Sequence, residues 1–222
     1  APDKLPASSW VGYSLDGQAD RSSVVVNGVA AAAQNPTLKN ATIGILGIDV
    51  YEANRGKLDL LAFQAPGQKF GFYPDSTAST KDKRNVRDGH YVPWSYTQYI
   101  AKVDAQKQAT NPLVARVLEM AAGDAELRLK SAAGVTPAFD IDALEVFAKK
   151  GLVPDCAMQV SRERDGGELS LYSPVAPCGC FYESVVDPEL AATDAWQDRC
   201  VSCDDAQDCD SHACRHGFCE EH

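Results

Sequence analysis

All eight cysteines of this 222-residue chain fall between Cys156 and Cys219, and the 155 residues before them contain none. Five of them, Cys200, Cys203, Cys209, Cys214 and Cys219, crowd into 20 residues. Thiols at that density suit an oxidised, cross-linked protein outside the cytosol; a reducing interior would leave them free unless a metal held them. The asymmetry divides the chain into a cysteine-free body and a stapled tail.

Charge follows the same division. Residues 1–155 carry 17 of the 21 Lys and Arg and 17 of the 31 Asp and Glu, so they balance. The remaining 4 basic and 14 acidic residues give the last part the whole net charge of −10. An acidic surface of this kind repels phosphate backbones and anionic lipid, which argues against nucleic acid as a partner. No apolar run reaches the ~20 residues of a membrane helix, and no signal peptide is visible at Ala1, so the chain reads as mature or trimmed.

Local patterns suggest helices, a few strands and long loops. The opening residues 1–17 read as loop. Ser22 or Ser23 is expected to cap a helix with Val25, Val26, Val29 and Ala33 inward, and Asn35-Pro36 to stop it. The run Thr42 to Ile48 reads as a strand buried on both faces, its glycines marking close backbone approach. A short helix around residues 49–55 comes next, then strands over 57–64 and 96–103, with a loop rich in Pro, Gly and aromatics over 65–98. Asn111-Pro112 predicts a helix with Leu113, Val117, Leu118 and Ala121 on one face and Gly123 near its end. Asp140 is expected to cap a second, with Leu144, Phe147 and Ala148 inward and Gly151 as its stop.

Residues 156–172 alternate around Asp165-Gly166-Gly167 as a hairpin. With the turn centred on Asp165-Gly166, position 156 faces 175; one residue further on it faces 177. These registers place Cys178 within one to three residues of the position facing Cys156, so this pair is the expected disulfide, with Cys180 as the alternative to Cys178. The element order indicates an α/β layer protein.

Three stretches carry a resemblance: Thr42-Ile43-Gly44-Ile45-Leu46-Gly47, residues 85–93 with Asp88-Gly89-His90-Tyr91-Val92-Pro93, and residues 151–160 with Gly151-Leu152-Val153-Pro154. In this order and spacing the chain resembles the phosphate-type periplasmic substrate-binding proteins of ABC importers over roughly residues 8–175, with Val92 inserted in the "Asp-Gly-x-Tyr-Pro" turn. The family's Gly/Ser-rich turn and Ser-Gly-Thr turn, which hold the anion on helix N-termini, do not appear; Trp10-Val11-Gly12 resembles the family's segment just after the second turn. The resemblance therefore implies the C-terminal half of a type 2 periplasmic-binding-protein-like α/β fold, a mixed sheet with flanking helices over residues 1–177, succeeded by an irregular acidic tail over 178–222. It also implies a non-catalytic solute-binding protein for phosphate or a related small oxyanion. The partners would be a missing N-terminal half or companion chain and the importer's membrane subunits, in a periplasmic or secreted setting. The alternative reading is a structural or interaction subunit on the cell exterior, with the tail as contact.

Within the chain, Thr77, Ser79, Thr80, Lys81, Lys83 and Arg84 form a hydroxyl-and-cation cluster, and Ser79, Thr80 and Arg84 are its candidate anion ligands. The cysteine ladder, with His212 and His216 nearby, has donors for zinc, but its spacing does not repeat a C-x2-C pair and the even count favours disulfides at Cys156, Cys178, Cys180, Cys200, Cys203, Cys209, Cys214 and Cys219. Cys200-Val201-Ser202-Cys203 could serve as a redox pair; Asp204 after it excludes c-type haem. Asp204, Asp205, Asp208 and Asp210 lack the calcium-loop pattern and read as solvated surface. His90, beside Asp88, lacks a nucleophile motif, and Tyr91, Trp94 and Tyr96 read as packing or as a stacking surface. No catalytic residue, metal or cofactor is assigned.

Overall fold

The computed structural model describes residues 21–122, 128–130, 140–210 and 213–220. The expected loop over 1–17, Trp10-Val11-Gly12, Gly123 and His212 lie outside the described residues. The chain divides into two compact units, Ala1–Leu58 and Asp59–His222.

In the first unit, α1 spans Arg21–Ala33 and α2 spans Ile48–Ala53. The buried face of α1 centres on Val26 and Ala32, whereas Ala33, expected inward, is exposed. Val25 and Val29 pack on the segment before α2: a Cβ added at Gly44 would come within 2.9 Å of both side chains. Glycine is thus required there for close approach. The surrounding run is not the doubly buried strand expected. Residues 43–47 have no ladder partner among the described residues, and Ile43 and Ile45 are 69% and 91% exposed. Periodicity reports apolar character; burial requires a neighbouring surface.

In the second unit the short elements are α3 (Arg84–Arg87), α4 (Pro112–Ala122), β1 (Arg128–Lys130), β2 (Asp140–Asp142), α5 (Ala143–Lys149), β3 (Val160–Ser161) and β4 (Ser170–Leu171). They continue with α6 (Gly179–Val186), α7 (Pro188–Ala191), α8 (Asp194–Arg199), β5 (Cys214–Arg215) and β6 (Phe218–Cys219). The described strands pair as three two-stranded antiparallel ladders, β1–β2, β3–β4 and β5–β6, in place of the mixed sheet expected. Residues 57–64 and 96–103 contribute only the isolated bridges Phe63–Phe72 and Val103–Ala109.

Local signals set the helix ends. Asn111 Oδ1 accepts the Leu113 amide at 2.9 Å and so caps α4, but Leu113 and Val117, expected inward, are exposed. The cap of α5 is Asp142, not Asp140: Asp142 directly precedes Ala143, where the helix begins, and its Oδ1 accepts the amides of Leu144 and Glu145 at 2.9 and 3.3 Å. Gly151 (φ 78°) ends the helix in the left-handed conformation. Gly166 (φ 71°) turns the β3–β4 hairpin, whose register pairs Val160 with Leu171 and Ser161 with Ser170.

Leu144, Ala148, Cys156, Ala157, Cys178, Tyr182 and Val186 make one core where α5 meets α6. A second joins Cys180, Trp196 and Cys200, with Leu190, Ala191 and Phe218 against them. The third is mostly sulfur: Cys203, Cys209 and Cys219, with Cys214 packed alongside. Four disulfides lie in these cores: Cys156–Cys178, Cys180–Cys200, Cys203–Cys214 and Cys209–Cys219. They span 22, 20, 11 and 10 residues, loops for which chain entropy assigns about 3 kcal/mol each. The register that fixes the first is visible at the hairpin base, where the Cys178 amide donates to Cys156 O at 2.9 Å. Position 178, the expected start of the tail, falls in the same core as α5.

Candidate functional site

The loop 74–87 and helix α6 gather most of the buried charge in the second unit. Asp75, 0% exposed, accepts both the backbone N and Nζ of Lys83 on Oδ1, each at 2.8 Å. Those two bonds hold Lys83 at φ 49°, a left-handed conformation that an L-residue adopts at a cost of about 1–2 kcal/mol. Asp82 ties the loop across its neck, accepting the Ser76 amide at 2.8 Å and the Ser76 hydroxyl at 2.7 Å. The Lys81 amide donates to Asp187 Oδ2 at 2.9 Å, while Asp187 Oδ1 caps α7 through the Leu190 amide at 3.0 Å.

Ser79 and Thr80 sit at the tip of this loop, with Arg84 exposed further along it at the start of α3. Their hydroxyls bond inside the tip: Thr80 Oγ1 accepts the Thr77 amide at 2.9 Å and lies 3.0 Å from Ser76 Oγ, and Ser79 Oγ lies 3.2 Å from Thr77 Oγ1. The hydroxyls are therefore shared with the turn. Lys83, also expected in this cluster, is 2% exposed and paired with Asp75.

Behind the loop, Arg87 is the hub that no sequence motif flagged. It is 4% exposed; Nε donates to Ala157 O at 2.8 Å and Nη1 to Glu183 Oε1 at 2.5 Å, and the guanidinium lies 5.4 Å from the centre of the Tyr182 ring. Glu183 Oε2 takes the Trp196 indole N–H at 2.9 Å and a close contact from Arg199. Burial pushes the Glu183 carboxyl up, but the Arg87 charge and the hydrogen bonds from Arg199 and Arg87 outweigh it and leave it below the usual glutamate value. Glu220 closes the cluster from the tail. Its carboxylate accepts the amides of Cys180 and Phe181, and burial dominates those bonds and the Arg87 charge, so its pKa is raised. Gly179 lies in the gap: a Cβ there would meet Arg87 Nη2 at 2.8 Å and Glu220 Oε2 at 3.8 Å. Partners 96 residues apart (Arg87 and Glu183) leave no local signature.

The aromatic loop is packed. His90 Nδ1 pairs with Asp88 at 2.8 Å and its ring stacks on Phe72 at 4.9 Å. Tyr91 meets Phe63 edge-on at 6.3 Å, and burial raises its phenol pKa. Trp94 and Tyr96 meet edge-on at 5.3 Å, and the Arg162 guanidinium covers Trp94 at 3.9 Å. A shallow groove of about 500 Å³ runs past this pair, lined by Val92, Arg162 and Gly166 to Leu169.

In the tail, Asp208 accepts the amides of Asp204 and Asp205 at 2.8 and 3.2 Å, which lowers its pKa, and Asp205 accepts the Gln207 amide at 2.7 Å. These carboxylates cap a 3-10 turn over Ala206–Asp208. Cys200 and Cys203, close in sequence, belong to different disulfides rather than to one redox pair. Among the described residues no helix is long and apolar enough to cross a membrane. No protein-family model matches the chain, and no curated protein or solved structure matches it.

Proposed function

We propose that this chain is the C-terminal half of a phosphate-type solute-binding protein. It is non-catalytic and works outside the cytosol, in the periplasm or as a secreted protein, where four disulfides are at home. A companion half, on the same or another polypeptide, supplies the Gly/Ser-rich and Ser-Gly-Thr turns. Closure of the two halves then desolvates a small oxyanion among backbone donors, and the membrane subunits of an importer receive it. Ser79, Thr80 and Arg84 are the nearest candidates in this chain for the rim of that site.

One observation carries the reading. Segments with the composition of buried strands form no ladder among the described residues and are open to solvent: Ile43 and Ile45 are 69% and 91% exposed in the first unit, and Ile100 is 98% exposed in the second. Exposed apolar backbone outside a sheet is a template for added strands. A companion half that contributes those strands would bury these side chains at roughly 25 cal/mol per Å².

Calorimetry with inorganic phosphate tests it. The 222-residue chain alone should be silent, and the chain together with a companion half bearing the two missing turns should bind. A completed assembly silent to phosphate, sulfate and other oxyanions overturns the reading, as does phosphate binding by this chain alone.

A further inference from the structure

We infer that the last two disulfides conceal a four-sulfur site for a soft divalent metal, formed when both are reduced. Cys203 and Cys209 lie on either side of the short 3-10 turn, and Cys214 and Cys219 face each other across the β5–β6 hairpin. That hairpin turns through His216 (φ 49°) and Gly217 (φ 85°), which fixes the facing pair at a separation of one tight loop. The two bridges, Cys203–Cys214 and Cys209–Cys219, cross-connect these positions. The Sγ atoms of Cys203, Cys209 and Cys219 all lie within 4.8 Å of one another, and Cys214 Sγ is bonded to that of Cys203.

Three sulfurs from two separate bridges thus share one small volume, and the fourth, on Cys214, is joined to it through Cys203. A tetrahedral zinc with Zn–S bonds of about 2.3 Å needs sulfurs about 3.8 Å apart. Cys203 Sγ would close in on those of Cys209 and Cys219 by up to about 1 Å, and each bonded pair would part by nearly ~2 Å, as reduction allows. Cys203, Cys209 and Cys219 are buried in a cluster of their own, with Cys214 packed against it. On reduction they lose the only covalent ties that order this segment, so a metal that binds the thiolates supplies the folding free energy that the bridges supplied before. The acidic residues around them, Asp204, Asp205, Asp208 and Asp210, favour approach of a cation.

The steps balance. A trialkylphosphine and one water convert each disulfide to two thiols, with the phosphine oxidised to its oxide. Zn²⁺ or Co²⁺ then replaces the four thiol protons, which pass to buffer, giving a metal tetrathiolate. The chain has one stable cross-linked state in an oxidising compartment and one metal-held state in a reducing one.

The test is anaerobic titration of the whole chain with Co²⁺ after phosphine reduction, followed by Zn²⁺. We expect one Co²⁺ per chain with a thiolate-to-cobalt charge-transfer band, displaced one for one by Zn²⁺. The double variant Cys209→Ser, Cys219→Ser should bind at least ~100-fold more weakly, because two of four thiolates are gone. Cys156→Ser with Cys178→Ser should keep the band. Circular dichroism of the reduced whole chain provides a second readout, in which Zn²⁺ should raise the melting temperature. No band, a band undiminished in the Cys209/Cys219 variant, or a reduced chain whose melting Zn²⁺ leaves unchanged overturns the inference.

Discussion

The Glu220 carboxylate accepts the backbone amide of Cys180 at 3.0 Å, forty residues upstream, and that of Phe181 at 2.9 Å with its other oxygen. The far end of the cysteine-rich tail therefore folds back to cap α6, the tail's own first helix. The Cys180–Cys200 bridge ties the same helix to the end of α8, also from downstream. The tail is part of the fold that holds α6 in place.

Replacing that carboxylate should weaken the whole second unit. Glu220→Ala leaves two amides at the start of α6 without acceptors, and the loss of a helix cap costs about 1–2 kcal/mol. The oxidised chain should show a lower midpoint in urea with little change in slope, and a midpoint equal to that of the parent would show that the cap contributes nothing.

Arg87 and Glu183 should behave as one unit. Glu183→Gln strands the Arg87 charge in the interior, at about 3–5 kcal/mol, whereas Arg87→Met leaves Glu183 its Arg199 and Trp196 partners and should cost less. The double variant should lose clearly less than the sum of the two. A double-mutant cycle by chemical denaturation measures the difference, and simple additivity would contradict the pairing.

Gly179→Ala should destabilise, although alanine is the better helix former. Its Cβ would stand 2.8 Å from Arg87 Nη2, and that guanidinium is pinned by Ala157 O and Glu183. Overpacking of this kind costs about 1–3 kcal/mol. A thermal melt at or above that of the parent would show that Arg87 can move aside.

The two buried glutamates give opposite pH slopes. The folded-state pKa of Glu220 is above its ordinary value, so its contribution is complete below that value and is lost as pH rises through the raised pKa. The folded-state pKa of Glu183 is lowered, so its contribution is present above the ordinary value and is lost as pH falls through the lowered one. Together they favour a stability maximum near the ordinary glutamate pKa of 4.5. In Glu220→Gln the gain on acidification from neutral pH should shrink, and the loss at lower pH should remain. Denaturation curves of both proteins across pH 3–8, on either side of ordinary carboxyl values, would reveal parallel profiles if Glu220 has no part.

Cys156→Ala with Cys178→Ala removes a bridge over 22 residues and should cost about 3 kcal/mol. Differential scanning calorimetry would record the shift, and an unchanged melt would mean that the hairpin base holds without sulfur.

What the sequence determined by itself was local and short in range. Asp165-Gly166 centred the hairpin and so brought Cys156 to Cys178; Asn111 capped α4, and Gly151 ended α5. Each arises from backbone preferences that act over a few residues. The cap of α5 shows the limit, since Asp140 and Asp142 are equally good caps in isolation and only the start of the helix at Ala143 assigns the role to Asp142. The tertiary structure alone decided the rest. Arg87, Glu183 and Glu220 come from three distant segments, and no propensity encodes that they share one desolvated space. The apolar run at Ile43 to Ile45 has the pattern of a buried strand, yet burial depends on what stands opposite, and no strand is paired with it among the described residues.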